Sequence, residues 1–187
     1  MSTERSTPST LSRFDAIASP GMRSAIGVVT FALLTAIGAR LSVPIAGTAV
    51  PFTFQPLAVL LTGALLGARL GALSQVVYLA AGMAGLPVFA TGALFAPTGG
   101  YLMAYPFAAF VVGALASGGA VRNLLALLAG LAVIYTGGAA WLAILTNWST
   151  AVVTGVLPFV LPDLVKVVMA WVIAGRLRER SREFFAA

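Results

Sequence analysis

The sequence predicts an all-α integral membrane protein: a bundle of six transmembrane helices with both termini in the cytoplasm and ordered extracellular loops covering a site. Three observations predict it. Apolar residues make up 60% of the chain and charged residues 9%, against about 25% charged in soluble domains, so the apolar surplus has no aqueous home. Glycine and proline cut the apolar run into segments near the length of the hydrocarbon layer. Of the 11 Lys and Arg residues, all but Arg40 and Lys166 fall in the termini or in two short connections, the bias expected of cytoplasmic loops.

Residues 1–22 are Ser/Thr-rich with scattered charges. They lack the apolar core and cleavage site of a removable signal peptide, and read as a mobile cytoplasmic tail with a short surface helix near residues 11–18. Residues 23–178 form the six-helix membrane domain. The first span, 24–43, reaches about 30 Å at helical rise and ends at Pro44. Residues 45–54 are short, β-branched and Pro/Gly-punctuated, and read as an ordered extracellular loop folding back into the protein. The second span, 55–68, needs its flanks to cross. Arg69 marks a turn, and 70–83 is the third span. Residues 84–100 are apolar yet full of breakers; irregular backbone does not face lipid, so this segment reads as a lid. The fourth span is 101–117 and the fifth 122–145, joined through Gly118, Gly119 and Arg122. Residues 146–158 connect to the sixth, 162–176, with a possible re-entrant half-helix. Residues 179–187 form a basic cytoplasmic tail. Basic termini demand an even number of spans, and Arg69 and Arg122 then also fall inside.

Composition also excludes. With Cys 0 and His 0, disulfides, thiolate nucleophiles, zinc sites and histidine base chemistry are absent. Of the 5 acidic residues only Asp163 lies in an apolar segment, so no carboxylate dyad is available. The net charge of +6 reflects loop topology rather than nucleic-acid binding. No Walker motif or Gly-rich phosphate loop occurs. No cofactor or metal is expected.

The chemistry concentrates in the last span. Asp163 and Lys166 sit three apart, on one helical face and about 4.5 Å apart along the axis. A buried ion pair is a poor stabiliser, and ionisable groups in hydrocarbon are functional by default. Pro162 suits the first helical turn, and a helix start favours an anion. The pair offers an acceptor and a donor to a small polar ligand. Gln55 either hydrogen-bonds such a ligand beside Phe52 and Phe54 or caps its helix, for which Thr53 is the better type. Tyr78, Tyr105 and Trp148 read as an interfacial aromatic belt; Tyr101, after two glycines, fits a belt or a ligand contact. Asn147 reads as solvated. Arg40 either snorkels outward or meets a loop carbonyl or anionic ligand. Ala32 and Ala36 form a small-xxx-small pair, extended by Ala25, Gly27 and Ala39, for bundle packing or for a membrane partner.

Several runs together carry a resemblance: Val50-Pro-Phe-Thr-Phe-Gln55, Thr62-Gly-Ala-Leu-Leu-Gly67 with Arg69-Leu-Gly71, Tyr78-Leu-Ala-Ala-Gly82, Gly85-Leu-Pro-Val-Phe89, Pro97-Thr-Gly-Gly-Tyr101 and Leu161-Pro-Asp-Leu-Val-Lys166. Over residues 24–176 the chain resembles the biotin-specific substrate-binding components of energy-coupling factor (ECF) transporters. The resemblance implies biotin capture at the outer face of a bacterial cytoplasmic membrane, and partnership with a transmembrane coupling subunit and two ATPases. It implies a docking role for Ala32 and Ala36 and no bond chemistry. Some members of the family act alone, so the resemblance does not decide whether partners are required. Asp163 suits the ureido N–H groups. Lys166 serves the carboxylate or the ureido carbonyl, and Phe52, Phe54, Phe89 and Tyr101 line the apolar length. The lid lacks the Arg that some relatives carry there, leaving Arg40, Lys166 or backbone N–H groups for the carboxylate. Alternatives are a component for another vitamin, such as thiamine or riboflavin, or a proton-coupled carrier using Asp163.

Overall fold

The computed structural model describes residues 19–116 and 118–185; the expected surface helix at 11–18 lies outside them. The described chain is mostly helical. Helix α1 spans Pro20–Arg40, capped by Ser19, whose hydroxyl accepts from the Met22 amide. A short hairpin follows, β1 (Ser42–Val43) pairing antiparallel with β2 (Phe52–Thr53). Helix α2 covers Gln55–Met83, α3 Gly99–Leu115 and α4 Ala120–Leu145. Helix α5 is short, Trp148–Gly155; a 3-10 turn at Leu157–Phe159 leads into α6, Val160–Phe185. Three of the helices, α1, α2 and α4, together with the stretch Trp148–Arg178, are long and apolar enough to cross a membrane; α3 is shorter and equally apolar.

Helix α2 is two antiparallel limbs. Gly67 has φ 79° and ψ −178°, a conformation open essentially to glycine alone, and there the chain reverses. Gln75 Nε2 donates to Thr62 Oγ1 at 3.2 Å, although 13 residues of straight helix would part them by about 20 Å. Gln55 and Tyr78 meet in the same way farther out. Limbs 55–66 and 68–83 therefore correspond to the expected second and third spans. Close approach secures them: a Cβ on Gly71 would stand 3.2 Å from Gly63 Cα.

The expectations at several boundaries change. Helix α1 stops at Arg40, because residues 42–43 pair with Phe52–Thr53. Strands thus appear in a chain expected to be wholly helical. The segment 45–54 is this hairpin, tied inward where the Phe54 amide donates to Gly38 O at 3.1 Å. Helix α6 starts before Pro162 and continues through Phe185, so most of the expected C-terminal tail is helix. Ser181 Oγ donates to Leu65 O at 2.9 Å, and Arg178 reaches the Asn123 side chain. Arg23 lies over the Phe184 ring at 5.6 Å, which places the start of α1 beside the end of α6. The connection 146–158 does carry a short helix, and Asn147, exposed as expected, also caps it by accepting from the Thr150 amide at 2.9 Å.

Two apolar clusters fill the bundle. One gathers Tyr78, Phe89, Tyr101, Tyr105 and Phe159 at the hairpin end; the other stacks Leu60, Leu127, Leu131, Val167 and Ala170 toward the opposite end. Outward, α1 presents Met22, Ile26, Val29, Leu33 and Ile37, the stripe a lipid-facing helix shows. Of its small residues, Gly27, Ala32, Gly38 and Ala39 are buried, while Ala25 is exposed. Ala32 belongs to the first cluster and Ala36 packs against it, so both contribute to bundle packing, one of the two roles expected of the pair.

At Gly67 an added Cβ meets nothing within 4 Å, so Gly67→Ala isolates backbone strain. It should lower stability by about 1–3 kcal/mol, read from unfolding in detergent micelles.

Candidate ligand-binding site

The site begins with two charges in a dry place. Asp163 lies in the first turn of α6, where free helix N–H groups favour an anion. Lys166 follows one turn later, and Nζ lies 2.6 Å from Asp163 Oδ1 with both side chains at 3–4% exposure. At that burial each remaining polar direction needs a partner. Lys166 Nζ also donates to the Thr53 carbonyl at 2.6 Å and stands 3.8 Å from the Phe52 ring centroid, a cation–π contact strengthened by desolvation. Asp163 Oδ2 accepts from Tyr135 Oη at 2.8 Å. The pair thus joins α6, α4 and the hairpin.

Beside it is a cavity lined by residues that include Thr53, Gln55, Tyr101, Tyr105, Tyr135, Asp163 and Lys166. It holds about 470 Å³ of unfilled space counting its mouth, of which the centre of a water molecule can reach about 40 Å³. Its free space is narrow. Pro51 of the hairpin and Ala90 of the segment 84–98 line both this cavity and an outer recess bordered by Ser42, Thr48 and Thr91. The expected lid therefore does lie over the cavity, through Ala90 and Thr98. It is fastened by Trp141 Nε1 donating to Ala96 O at 3.1 Å and by a hydroxyl contact between Thr91 and Thr98.

Of the residues singled out in sequence, Asp163, Lys166, Gln55, Thr53 and Tyr101 come together here. Thr53 also accepts from the Gln55 amide at 3.3 Å, and Tyr101 donates to Gly155 O at 2.6 Å. Phe52 touches the site through Lys166. Phe54 meets Phe52 edge-on and lines a separate groove against α1. Phe89 is outside the lining: it packs edge-on against Tyr78, and its ring fills the space a Cβ on Gly82 would need. Arg40 is exposed at the end of α1, two residues from Ser42 at the recess.

Tyr78 and Tyr105 are 1% and 3% exposed, so they are core residues rather than an interfacial belt. Trp148, at 65%, is outside. Tyr135 was not anticipated. Its signal was a hydroxyl in the middle of an apolar helix, where a buried phenol needs a partner. Pro51, Ala90 and Thr98 carried no chemical signal; only the path of the loops brings them to the cavity.

Residues 6–183 match the sequence profile of the BioY family. The chain belongs to the BioY family. A probable biotin transporter BioY of Pyrococcus horikoshii is 44% identical over 156 residues, covering 81% of this chain and 93% of that protein. The biotin transporter BioY of Thermotoga maritima is 39% identical over 170 residues, covering 87% and 99%. The crystal structure of the S-component for biotin from an ECF-type ABC transporter superimposes with a TM-score of 0.77 at 24% identity, covering 96% of this chain and all of that one. The fold is therefore shared, and the BioY relatives are transporters rather than enzymes.

Breaking the pair is more costly than removing it. Asp163→Ala should destabilise the protein by about 3–5 kcal/mol by stranding Lys166, whereas Asp163→Leu combined with Lys166→Met should recover most of that loss. Unfolding of both variants in one detergent compares them directly.

Proposed function

We propose that this chain captures biotin at the outer face of the cytoplasmic membrane and is the substrate-specific subunit of an ECF-type ABC transporter. The observation that carries the reading is the buried Asp163–Lys166 pair lining a closed cavity beneath two loops, in a chain of the BioY family. Biotin presents a ureido ring with two N–H donors and a carbonyl, a thioether ring, and an aliphatic acid. Asp163 accepts from the ureido ring, with Tyr135 and Lys166 holding its carboxylate in place. Tyr101, Tyr105 and Ile134 enclose the apolar length. The acid tail points through the Pro51–Ala90 mouth toward the hydroxyls of Ser42, Thr48 and Thr91 and toward Arg40. Lys166 already has a carboxylate, a carbonyl and a ring face, so its first duty is to hold the hairpin down.

In the same reading the chain crosses the membrane six times, with the limbs of α2 as the second and third crossings and both termini in the cytoplasm. The contact between Arg23 and Phe184 and the basic residues at that end support this orientation. Coupling to ATP lies with a transmembrane coupling subunit and ATPases on other chains. Capture closes the loops, and the partners drive release inward.

Saturable equilibrium binding of labelled biotin to the purified protein, undiminished by thiamine or riboflavin, is the expected result; its absence would end the reading. Asp163→Asn should weaken binding by about 1.5–3 kcal/mol, the value of a hydrogen bond to a charged acceptor, measured per folded protein because the variant also strands the Lys166 charge.

A further inference from the structure

Tyr78 lies between the cavity wall and the second loop, and its one proton decides which side of Gln55 a ligand meets. Gln55 and Tyr78 are 2% and 1% exposed. Gln55 Nε2 lies 2.8 Å from Tyr78 Oη, and Tyr78 Oη lies 3.2 Å from the carbonyl oxygen of Val88. A phenol has a single O–H proton, and a carbonyl oxygen only accepts. The hydroxyl therefore donates to Val88 and accepts from Gln55. That holds the Gln55 amide nitrogen toward Tyr78 and turns its carbonyl oxygen away. Gln55 lines the cavity, and among the described residues its Oε1 has no protein partner and is not sealed off. Together with Asp163 from another helix, the cavity then shows a ligand two acceptors.

We propose that Tyr78 is a positioning residue that determines specificity: the closed second loop, acting through Tyr78, fixes Gln55 as an acceptor and makes the site select a ligand with N–H donors. The inference rests on the biotin reading, whose ureido ring carries two such groups. Packing keeps the relay in register. Phe89, next to Val88, meets the Tyr78 ring edge-on at 5.5 Å and lies over Gly82. When the loop lifts, the Val88 carbonyl leaves, the phenol proton turns to Gln55 Oε1, and the amide can rotate to point N–H groups into the cavity. Those groups oppose a ureido N–H, so an opening loop loosens its own ligand.

The test compares dissociation constants for biotin and for its two ureido N-methyl derivatives. The wild-type protein should bind biotin and reject at least one derivative. Tyr78→Phe keeps the ring and removes the relay; it should weaken biotin by about threefold to tenfold and narrow its preference over that derivative. Insertion of 4-aminophenylalanine at position 78 supplies two protons at the same place, one for Val88 and one for Gln55. It should narrow the preference with thermal stability unchanged, and it serves if the phenylalanine variant folds poorly. An unchanged preference in both variants, or an equal weakening of all three ligands, overturns the relay and leaves Tyr78 as packing. Failure of the wild-type protein to bind biotin would instead sink the functional reading, and is seen first.

Discussion

A carboxylate and an ammonium 2.6 Å apart, almost sealed from water, constrain everything around them. Desolvation makes such a pair costly unless each leftover proton and lone pair finds a partner. Here the partners come from two distant parts of the chain: the Thr53 carbonyl and the Phe52 ring from β2 of the hairpin, and the Tyr135 hydroxyl from α4. Satisfying the pair therefore assembles the hairpin end of the bundle. Thr53, Tyr135, Asp163 and Lys166 also line the cavity, so the cavity and the stabilising network share these groups.

The same requirement explains how irregular segments survive beside the bundle. Backbone that leaves a helix near the membrane must find internal partners. Three buried side chains supply them: Lys166 donates to Thr53, Tyr78 to Val88 and Tyr101 to Gly155. Each carbonyl lies in or next to a different connection, and Lys166 and Tyr101 line the cavity while Tyr78 reaches it through Gln55. Whatever moves the cavity wall is felt in the connections. Deeper in, Gln75 bonds Thr35 and Thr62, locking the reversed α2 to α1 where no ligand reaches.

Much of this was legible in one dimension. Asp163 and Lys166 stood out because charge is so rare in the apolar stretches, and helical spacing put them on one face. The lid at 84–100 was legible because its breakers forbid lipid exposure. Arg69 marked a turn close to the reversal that α2 makes at Gly67. Other readings failed for a physical reason. Tyr78 and Tyr105 near helix ends look like belt residues, since sequence distance says nothing of depth. Phe89 packs on Tyr78 and Phe54 on Phe52, contacts that spacing along the chain does not show.

Membership of the bilayer, the helical segments and the single pair of charges follow from composition and short-range periodicity, because solvation and helical geometry act locally along the chain. Which polar atoms meet is another matter. Tyr135 on Asp163, Lys166 on the Thr53 carbonyl and Tyr78 between Gln55 and Val88 join residues 10 to 113 positions apart, and only the packed bundle brings them within reach. Hydrogen bonds depend on distances of a few ångströms and on the direction of one proton, and those are set by the tertiary structure alone.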